Sequence, residues 1–166
     1  MIIKLEKFDL VRYNDDKHKY LKEEFKNGNS FSEYIHQIPE RLESSKYNDK
    51  NIYQSAFVVQ YNEMPMGYLY ISNKINDEVF LEYSVLKEYR KMGYGSELLN
   101  EITNYLFENC NIKNIRLDID PSNKNSILLA NTCGFYLDEE EYEARNFIGK
   151  MQFIKESDIY ISKRKK

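Results

Sequence analysis

The pattern of hydrophobic and polar positions predicts that the chain contains both strands and helices, interspersed along the sequence. Short runs of β-branched, aromatic and aliphatic residues predict strands at residues 2–8, 56–61, 67–71, 79–85, 115–120, 135–137, 150–154 and 158–161. Helical spacing predicts helices at about residues 15–25, 30–42, 96–109 and 127–133. In the third helix, one apolar stripe is formed by Leu98, Leu99, Ile102, Tyr105 and Leu106.

Turn residues and helix signals set the expected connections. Residues 62–66 predict a five-residue hairpin turn, and Pro39 is expected to bend or divide the second helix, which opens on a capping box at residues 30–33. A strand, a helix and a strand in succession favour a right-handed crossover, which would make strand 115–120 parallel to strand 79–85. Gly134 is expected to be a left-handed helix cap. The acidic run at residues 138–143 is interpreted as a solvated loop, with a substrate-facing acidic rim as the alternative.

Two glycines lie where the strand at residues 79–85 gives way to the following helix. Gly93 and Gly95 would let main-chain N–H groups approach a ligand, and the helix N-terminus adds unpaired donors and a positive dipole end. Arg90 would add a positive charge to this anion site, although a tight turn without a ligand is an equally simple interpretation. A nucleoside triphosphate loop is not favoured because Ser96, rather than lysine, follows Gly95. A dinucleotide fingerprint fails because Leu98 stands where a small residue is required.

Composition and charge narrow the function classes. A chain of 166 residues with 42% hydrophobic residues predicts a single domain over residues 1–166. The 24 basic and 27 acidic residues leave a net charge of −3, which does not favour a nucleic-acid partner. Two cysteines and two histidines without metal-ligand spacing predict no metal site. Without a membrane-length apolar run, we expect a soluble, cytoplasmic protein with no membrane partner.

The turn and a second motif resemble those of the Gcn5-related N-acetyltransferase (GNAT) family. Residues 90–95 read Arg-Lys-Met-Gly-Tyr-Gly, the Arg/Gln-x-x-Gly-x-Gly/Ala form of that family, and Val85 lies five residues ahead. Downstream, Asn123-x-x-Ser126 followed by Gly134-Phe135 resembles the second family motif. Residues 82–85, 93–98 and 120–127 are most similar to the branch of ribosomal-protein alanine acetyltransferases. The resemblance covers about residues 57–137.

The resemblance implies an α/β (α+β) fold of GNAT type. Its central sheet would be mixed and mostly antiparallel, with about six to seven strands and about four flanking helices. Two parallel strands, here about residues 79–85 and 115–119, would splay apart at one end and admit acetyl-CoA.

The resemblance also implies which residues hold acetyl-CoA, the cosubstrate. Its pantetheine arm would pair with main chain near Ser84 and Val85, while Asn123 and Ser126 would contact it from the other side. Its pyrophosphate would lie on the N–H groups of seven consecutive residues, which are Arg90, Lys91, Met92, Gly93, Tyr94, Gly95 and Ser96.

The implied chemistry is direct transfer of the acetyl group to a primary amine in a ternary complex. The Val85 N–H would stabilise the oxyanion, and Glu82 would be the base that takes the amine proton. The alternative for Glu82 is a pairing with an arginine or lysine on a neighbouring strand. Ala130 stands at the family's tyrosine position, so Ser126 is the expected hydrogen-bond donor to the departing thiolate, unless Ser126 only caps its helix.

The acceptor is expected to be an amine of a small molecule or peptide. The resemblance also makes a homodimer a candidate oligomeric state, because the family often dimerises. Neither the acceptor's identity nor the length of the acyl group follows from the residues. Two alternatives remain open, a catalytically silent acyl-CoA-binding domain and a domain that binds another phosphorylated ligand.

Overall fold

The computed structural model describes residues 1–21, 23–24, 37–144 and 149–159. In these ranges the strands are β1 (Ile2–Lys4), β2 (Phe8–Val11), β3 (Ser55–Tyr61), β4 (Met64–Ile71), β5 (Glu78–Val85), β6 (Asn114–Ile119), β7 (Tyr136–Leu137) and β8 (Met151–Glu156). The α-helices are α1 (Asp15–His18), α2 (Ile38–Ser45), α3 (Tyr94–Asn109), α4 (Lys124–Thr132) and α5 (Glu139–Ala144), and Lys87–Tyr89 form a 3₁₀ helix. The expected α/β class is confirmed, with mostly antiparallel strand pairs and one parallel pair. No helix of the described residues is both long and apolar enough to cross a membrane.

The chain folds as two compact units, and strand β5 contributes to both. The first unit comprises Met1–Ser72 and Glu82–Gly95, and the second comprises Asn73–Leu81 and Ser96–Lys166. In the first unit the strand order is β1-β2-β3-β4-β5. The pairs β1–β2, β2–β3 and β3–β4 are antiparallel. The prediction of a single domain is not tested by this division.

Two turns of the first unit differ from the sequence prediction. The predicted strand at residues 2–8 is wrong, because the chain turns after Lys4 and returns as β2, with Ile3 opposite Leu10. The predicted five-residue turn at residues 62–66 is also wrong. Asn62 and Glu63 both have positive φ, which closes the hairpin in two residues and begins β4 at Met64.

In the second unit the strand order is β5-β6-β8-β7. The expected parallel pair is confirmed, since Val79 of β5 lies opposite Ile115 of β6 in a parallel register. This ladder runs only from Glu78 to Phe80 on β5. The rest of the strand, to Val85, continues beyond it.

The helices of the second unit largely follow the predicted apolar pattern. In α3, Leu98, Leu99, Ile102 and Leu106 are buried, whereas Tyr105 is half-buried. Gly134 ends α4 with φ of +86°, which confirms the left-handed cap.

Two predictions near the C-terminus are wrong. The acidic run is α5 rather than a loop, because acidic residues in a first turn favour the positive end of the helix dipole. Residues 158–159 are helical rather than extended, and residues 160–161 lie outside the described residues.

Helix α2 packs on one face of the first unit's sheet. Its residues Ile38 and Leu42 share a buried cluster with Tyr13, Leu21, Ala56, Val58, Tyr68 and Leu86. Pro39 lies in the first turn of α2, where its missing N–H costs no hydrogen bond. The predicted capping box at residues 30–33 lies outside the described residues, as do Phe25 and Gly28 of the first predicted helix.

Two buried polar side chains fix the chain around this cluster. Arg12 is 8% exposed and donates to three main-chain carbonyls, those of Asn48 at 2.8 Å, Asn51 at 2.9 Å and Ala56 at 3.0 Å. Burial lowers the pKa of Arg12 to about 10. His18 is buried, and its Nδ1 accepts a hydrogen bond from the Asn14 N–H at 3.0 Å.

Candidate active site

The end of β5 presents its main-chain groups in a defined direction. A Cβ on Gly67 would lie 2.6 Å from the Ser84 carbonyl oxygen, so this carbonyl points towards β4. In a trans peptide the N–H points opposite to the carbonyl, so the Val85 N–H points away from β4. The next peptide is reversed, because the Leu86 N–H donates to the Met66 carbonyl at 2.8 Å. Val85 therefore directs both its N–H and its carbonyl away from β4.

Arg90 binds the Val85 carbonyl, the second main-chain group that points away from β4. The chain leaves β5 through the 3₁₀ helix, and the Nε of Arg90 donates to the Val85 carbonyl at 2.9 Å. Burial lowers the pKa of Arg90. The sequence prediction made Arg90 a positive charge at an anion site, and in the structure its guanidinium binds the carbonyl of the Val85–Leu86 peptide.

The turn after Arg90 has the backbone of an anion site. Lys91 has φ of +62° and Gly93 has φ of +84°, both in the left-handed region. Backbone that enters this region in a turn brings successive N–H groups to one concave side, a geometry that binds anions. A Cβ added to Gly93 would meet no heavy atom of the described residues within 4 Å, so the turn is open on that side. Helix α3 begins at Tyr94, and Gly95 therefore lies in its first turn, where N–H groups have no helical acceptor.

Aromatic packing fixes the point where α3 begins. The Tyr94 ring centroid lies 5.4 Å from that of Tyr61, 6.3 Å from Tyr89 and 6.4 Å from Phe8. These are separations at which aromatic rings interact favourably. Tyr94 is therefore anchored by its side chain, while Met92, two residues earlier, is 63% exposed.

Glu82, the predicted base, forms an ion pair with Arg41 of α2. The alternative of a paired carboxylate is thus observed, although the partner comes from a helix rather than from a neighbouring strand. The same Arg41 Nη1 lies 3.3 Å from the Tyr68 hydroxyl, and its guanidinium carbon lies 4.0 Å above the Tyr70 ring. Glu82 nevertheless keeps about a quarter of its side chain exposed, at 26%.

The second unit holds the remaining predicted residues. Asn123 is the N-cap of α4, and its Oδ1 accepts from the Ser126 N–H at 3.2 Å. The helix is therefore capped by the Asn123 side chain rather than by Ser126, and Ser126 is half-buried. Ala130, at the family's tyrosine position, is 0% exposed. The Ser96 carbonyl lies 3.6 Å from the Cys133 Sγ.

The acidic run does not form a separate charged loop. Asp138 forms an ion pair with Arg116 at 2.7 Å, and this hydrogen bond lowers the pKa of Asp138. Among the residues that the structure describes, no group of three His, Cys, Asp or Glu side chains could hold a metal ion.

The sequence analysis did not identify two residues of the first unit that contact the predicted site residues. Gly67 carried a signal, because a glycine within a strand pattern often marks a close approach of another backbone. Arg41 carried none, since it is separated from Glu82 by 41 positions and lies in an otherwise ordinary amphipathic helix.

Comparison with known proteins supports the fold independently of the side-chain contacts described above. A search of curated proteins finds no match. Among solved structures, RimL, a ribosomal L7/L12 α-N-protein acetyltransferase in complex with coenzyme A, is 13% identical, with 95% of this chain and 99% of that chain covered and a TM-score of 0.72. Spermidine N-acetyltransferase from Vibrio cholerae, in complex with CoA and spermine, is 15% identical, with 93% and 98% covered and a TM-score of 0.68. Ribosomal-protein-S5-alanine acetyltransferase from Vibrio fischeri is 15% identical, with 95% and 97% covered and a TM-score of 0.62.

At these identities the solved structures share the fold, and ribosomal-protein acetyltransferases are among them. The family follows from a separate match, in which the model of the acetyltransferase (GNAT) family aligns with residues 18–135. Because that match spans well over half of the 166 residues, the chain belongs to the acetyltransferase (GNAT) family.

Proposed function

We propose that this chain transfers the acetyl group of acetyl-CoA directly to a primary amine in a ternary complex. The observation that carries the proposal is the turn at residues 90–95, where left-handed Lys91 and Gly93 precede the N-terminus of α3. Phosphate oxygens suit such a turn because its N–H groups converge on them and because the helix dipole favours negative charge. The solved structures of RimL and of the spermidine acetyltransferase contain CoA, which supports the same class of ligand here.

The residues present fit the acyl donor at two further points. Main chain at Ser84 and Val85 continues past the β5–β6 ladder and suits pairing with the amides of pantetheine. Asn123 and Ser126 are assigned to the same donor on the basis of the resemblance.

The proposed reaction forms one C–N bond and breaks one C–S bond. The amine nitrogen attacks the thioester carbonyl carbon, and the electron pair of the carbonyl moves to oxygen. The Val85 N–H, directed away from β4 by the packing at Gly67, donates to this oxyanion. Collapse of the intermediate expels the CoA thiolate, and the product is an amide.

Two protons remain to be placed. Glu82, directly or through water, takes the proton that the attacking amine loses. The Ser126 hydroxyl hydrogen-bonds to the departing thiolate, which takes up one proton from solvent to give free CoA, while Glu82 returns its proton to solvent. Glu82 must be ionised to act as a base, and the adjacent Arg41 favours that form.

The acceptor is proposed to be a primary amine of a small molecule or peptide. The names of the solved relatives span both kinds, since one acetylates spermidine and another the α-amino group of a ribosomal protein. A fold shared at this level of identity does not choose between them.

A thermal-shift comparison of two glycines tests donor binding. Gly93 and Gly149 have nearly the same φ, +84° and +86°, and a Cβ on either would meet no heavy atom of the described residues within 4 Å. Valine at either position carries the same backbone strain, but only Gly93→Val would place a side chain at the proposed anion site. A ligand at 100 times its Kd stabilises by about 2.7 kcal/mol. For a domain of this size that corresponds to about 5–10 °C.

We expect acetyl-CoA and CoA, but not ATP, to raise the Tm of the wild type and of Gly149→Val, and not that of Gly93→Val. An ATP shift as large as the CoA shift would favour a domain for another phosphorylated ligand. Release of free thiol from acetyl-CoA, measured with an amine panel, then separates an enzyme from a silent acyl-CoA-binding domain. Binding without thiol release from any amine would contradict the proposed transfer.

A further inference from the structure

The contacts of Arg41 point to a role beyond packing. The guanidinium lies above the Tyr70 ring, and its Nη1 donates to both the Tyr68 hydroxyl and Glu82 Oε2. Burial alone would lower the pKa of Arg41, but the hydrogen bond to Tyr68 and the charge of Glu82 raise it. The contacts that hold the cation in place therefore include an aromatic face, a neutral hydroxyl and the Glu82 carboxylate.

The position of Glu82 makes this contact relevant to the reaction. Glu82 lies three residues before Val85 on the same strand, and its side chain meets α2, the helix that covers this face of the sheet. The two side chains are 24% and 26% exposed, so water screens their interaction less than it would screen a surface pair. An isolated carboxylate at such a site would lose hydration and would favour its protonated form.

We propose that Arg41 is a positioning residue of the acetyl transfer, which holds the Glu82 carboxylate ionised and in a fixed orientation. The inference rests on the proposed function, because it assumes that Glu82 takes the amine proton. Arginine suits this role better than lysine, since its planar fork can stack on Tyr70 while donating to two acceptors.

The groups that face Glu82 determine the sign of the pH effect. Among the described residues, these groups include Arg41 of α2 and, in contact with Arg41, Tyr68 and Tyr70 of β4. Burial raises the pKa of Tyr68, so its hydroxyl stays neutral near physiological pH and does not compete as a charge. Loss of Arg41 therefore removes the cation that favours ionised Glu82, and the protonated, inactive form persists to higher pH.

The test is the pH dependence of kcat/KM for the amine, measured by thiol release at saturating acetyl-CoA. The probes are spermidine and a peptide with a free N-terminal alanine, and the proteins are wild type, Arg41→Met, Arg41→Lys, Glu82→Gln and Arg116→Met. Ionisation of the probe amine is the same for every protein, so it cancels in the ratio of wild type to variant. Arg116 is a matched control because it also pairs with carboxylates, Glu78 and Asp138, and its side chain is 20% exposed.

We expect the ratio of wild type to Arg41→Met to rise by about threefold or more from about pH 8 to about pH 5. The ratio for Arg116→Met should stay constant with pH, and Arg41→Lys, which keeps the charge, should show a smaller rise than Arg41→Met. Glu82→Gln should lower kcat/KM without this pH-dependent rise. A ratio for Arg41→Met that does not change with pH would overturn the proposal, as would an equal rise for Arg116→Met.

A second measurement separates this inference from the proposed function. Carbon-13 NMR can follow the Glu82 carboxyl carbon, identified by the signal missing in Glu82→Gln, through a pH titration of wild type and Arg41→Met. We expect the midpoint to lie at higher pH in Arg41→Met, and identical midpoints would refute the pairing role. If the wild type released no thiol with either probe, the proposed function would fail for them, and this titration would still decide the role of Arg41.

Discussion

Gly67→Ala is the most informative substitution in the first unit, because it tests whether Gly67 sets the direction of the Val85 N–H, the proposed oxyanion donor. The added Cβ would lie 2.6 Å from the Ser84 carbonyl oxygen and 3.6 Å from the Val85 Cα. The nearest atom belongs to backbone, so no flexible side chain can move aside. Since real Cβ contacts are essentially never shorter than 3.0 Å, the Ser84–Val85 peptide must retreat by at least about 0.4 Å.

The displacement predicts a loss of catalysis in addition to a loss of stability. Overpacking of this kind costs about 1–3 kcal/mol of stability. Loss of a whole oxyanion donor lowers kcat by about 10²–10³. A donor that is moved rather than lost should cost less, and we expect kcat for thiol release to fall by about tenfold.

Ile71→Val on the same strand is the control for stability. Ile71 is fully buried and lies opposite Ser55 of β3, and removal of one methyl group from it should cost about 0.5–1.5 kcal/mol. The assay measures kcat with saturating acetyl-CoA and the most active amine of the panel, at a temperature where circular dichroism shows all three proteins folded. If Gly67→Ala lowered the Tm but left kcat equal to that of Ile71→Val, the orientation argument for Val85 would be refuted.

Three further predictions follow from contacts of the first unit. Arg12→Met should lower the free energy of unfolding in urea by about 2–4 kcal/mol, because three main-chain carbonyls lose their donor; a loss below about 1 kcal/mol would contradict this. Burial and the charge of Lys17 lower the pKa of His18, so the unfolded chain takes up the proton first and stability falls as pH drops below about 6.5. His18→Gln should therefore lose less Tm than wild type between about pH 7.5 and about pH 5.5, and equal losses would refute that origin. Tyr94→Leu should weaken acetyl-CoA binding measured by calorimetry, since Tyr61 and its neighbours no longer hold the start of α3, and an unchanged Kd would show that the turn needs no such anchor.

The segment from β5 to α3 was predicted correctly from local sequence patterns. There the strand, turn and helix signals are all consistent with one another. Strand β5, the glycine turn and α3 were expected within a residue or two, because β-branched residues, two glycines and a helical apolar stripe follow one another. The hairpin between β1 and β2 was missed because its turn, Leu5-Glu6-Lys7, contains no glycine, proline or asparagine. Helix α5 was missed because its run of acidic residues was interpreted as a solvated loop. Asp138 Oδ1 accepts from the Glu141 N–H at 3.2 Å, so the spacing Asp-x-x-Glu was the available signal.

The directions of the Val85 N–H and carbonyl could not be predicted from local sequence. They depend on contacts with residues both near to Val85 and far from it along the chain. The resemblance identified Val85 and Arg90 as neighbours of the ligand, yet it did not indicate that Arg90 donates to the Val85 carbonyl. It also gave no reason for Gly67, which permits the Ser84 carbonyl to point towards β4. A family motif records the residues that meet the ligand, whereas the direction of a main-chain N–H depends on what surrounds its peptide plane. Substitutions confined to the motif, such as one of Arg90, would therefore leave the packing at Gly67 untested, whereas Gly67→Ala tests directly whether this packing orients the proposed oxyanion donor, the Val85 N–H.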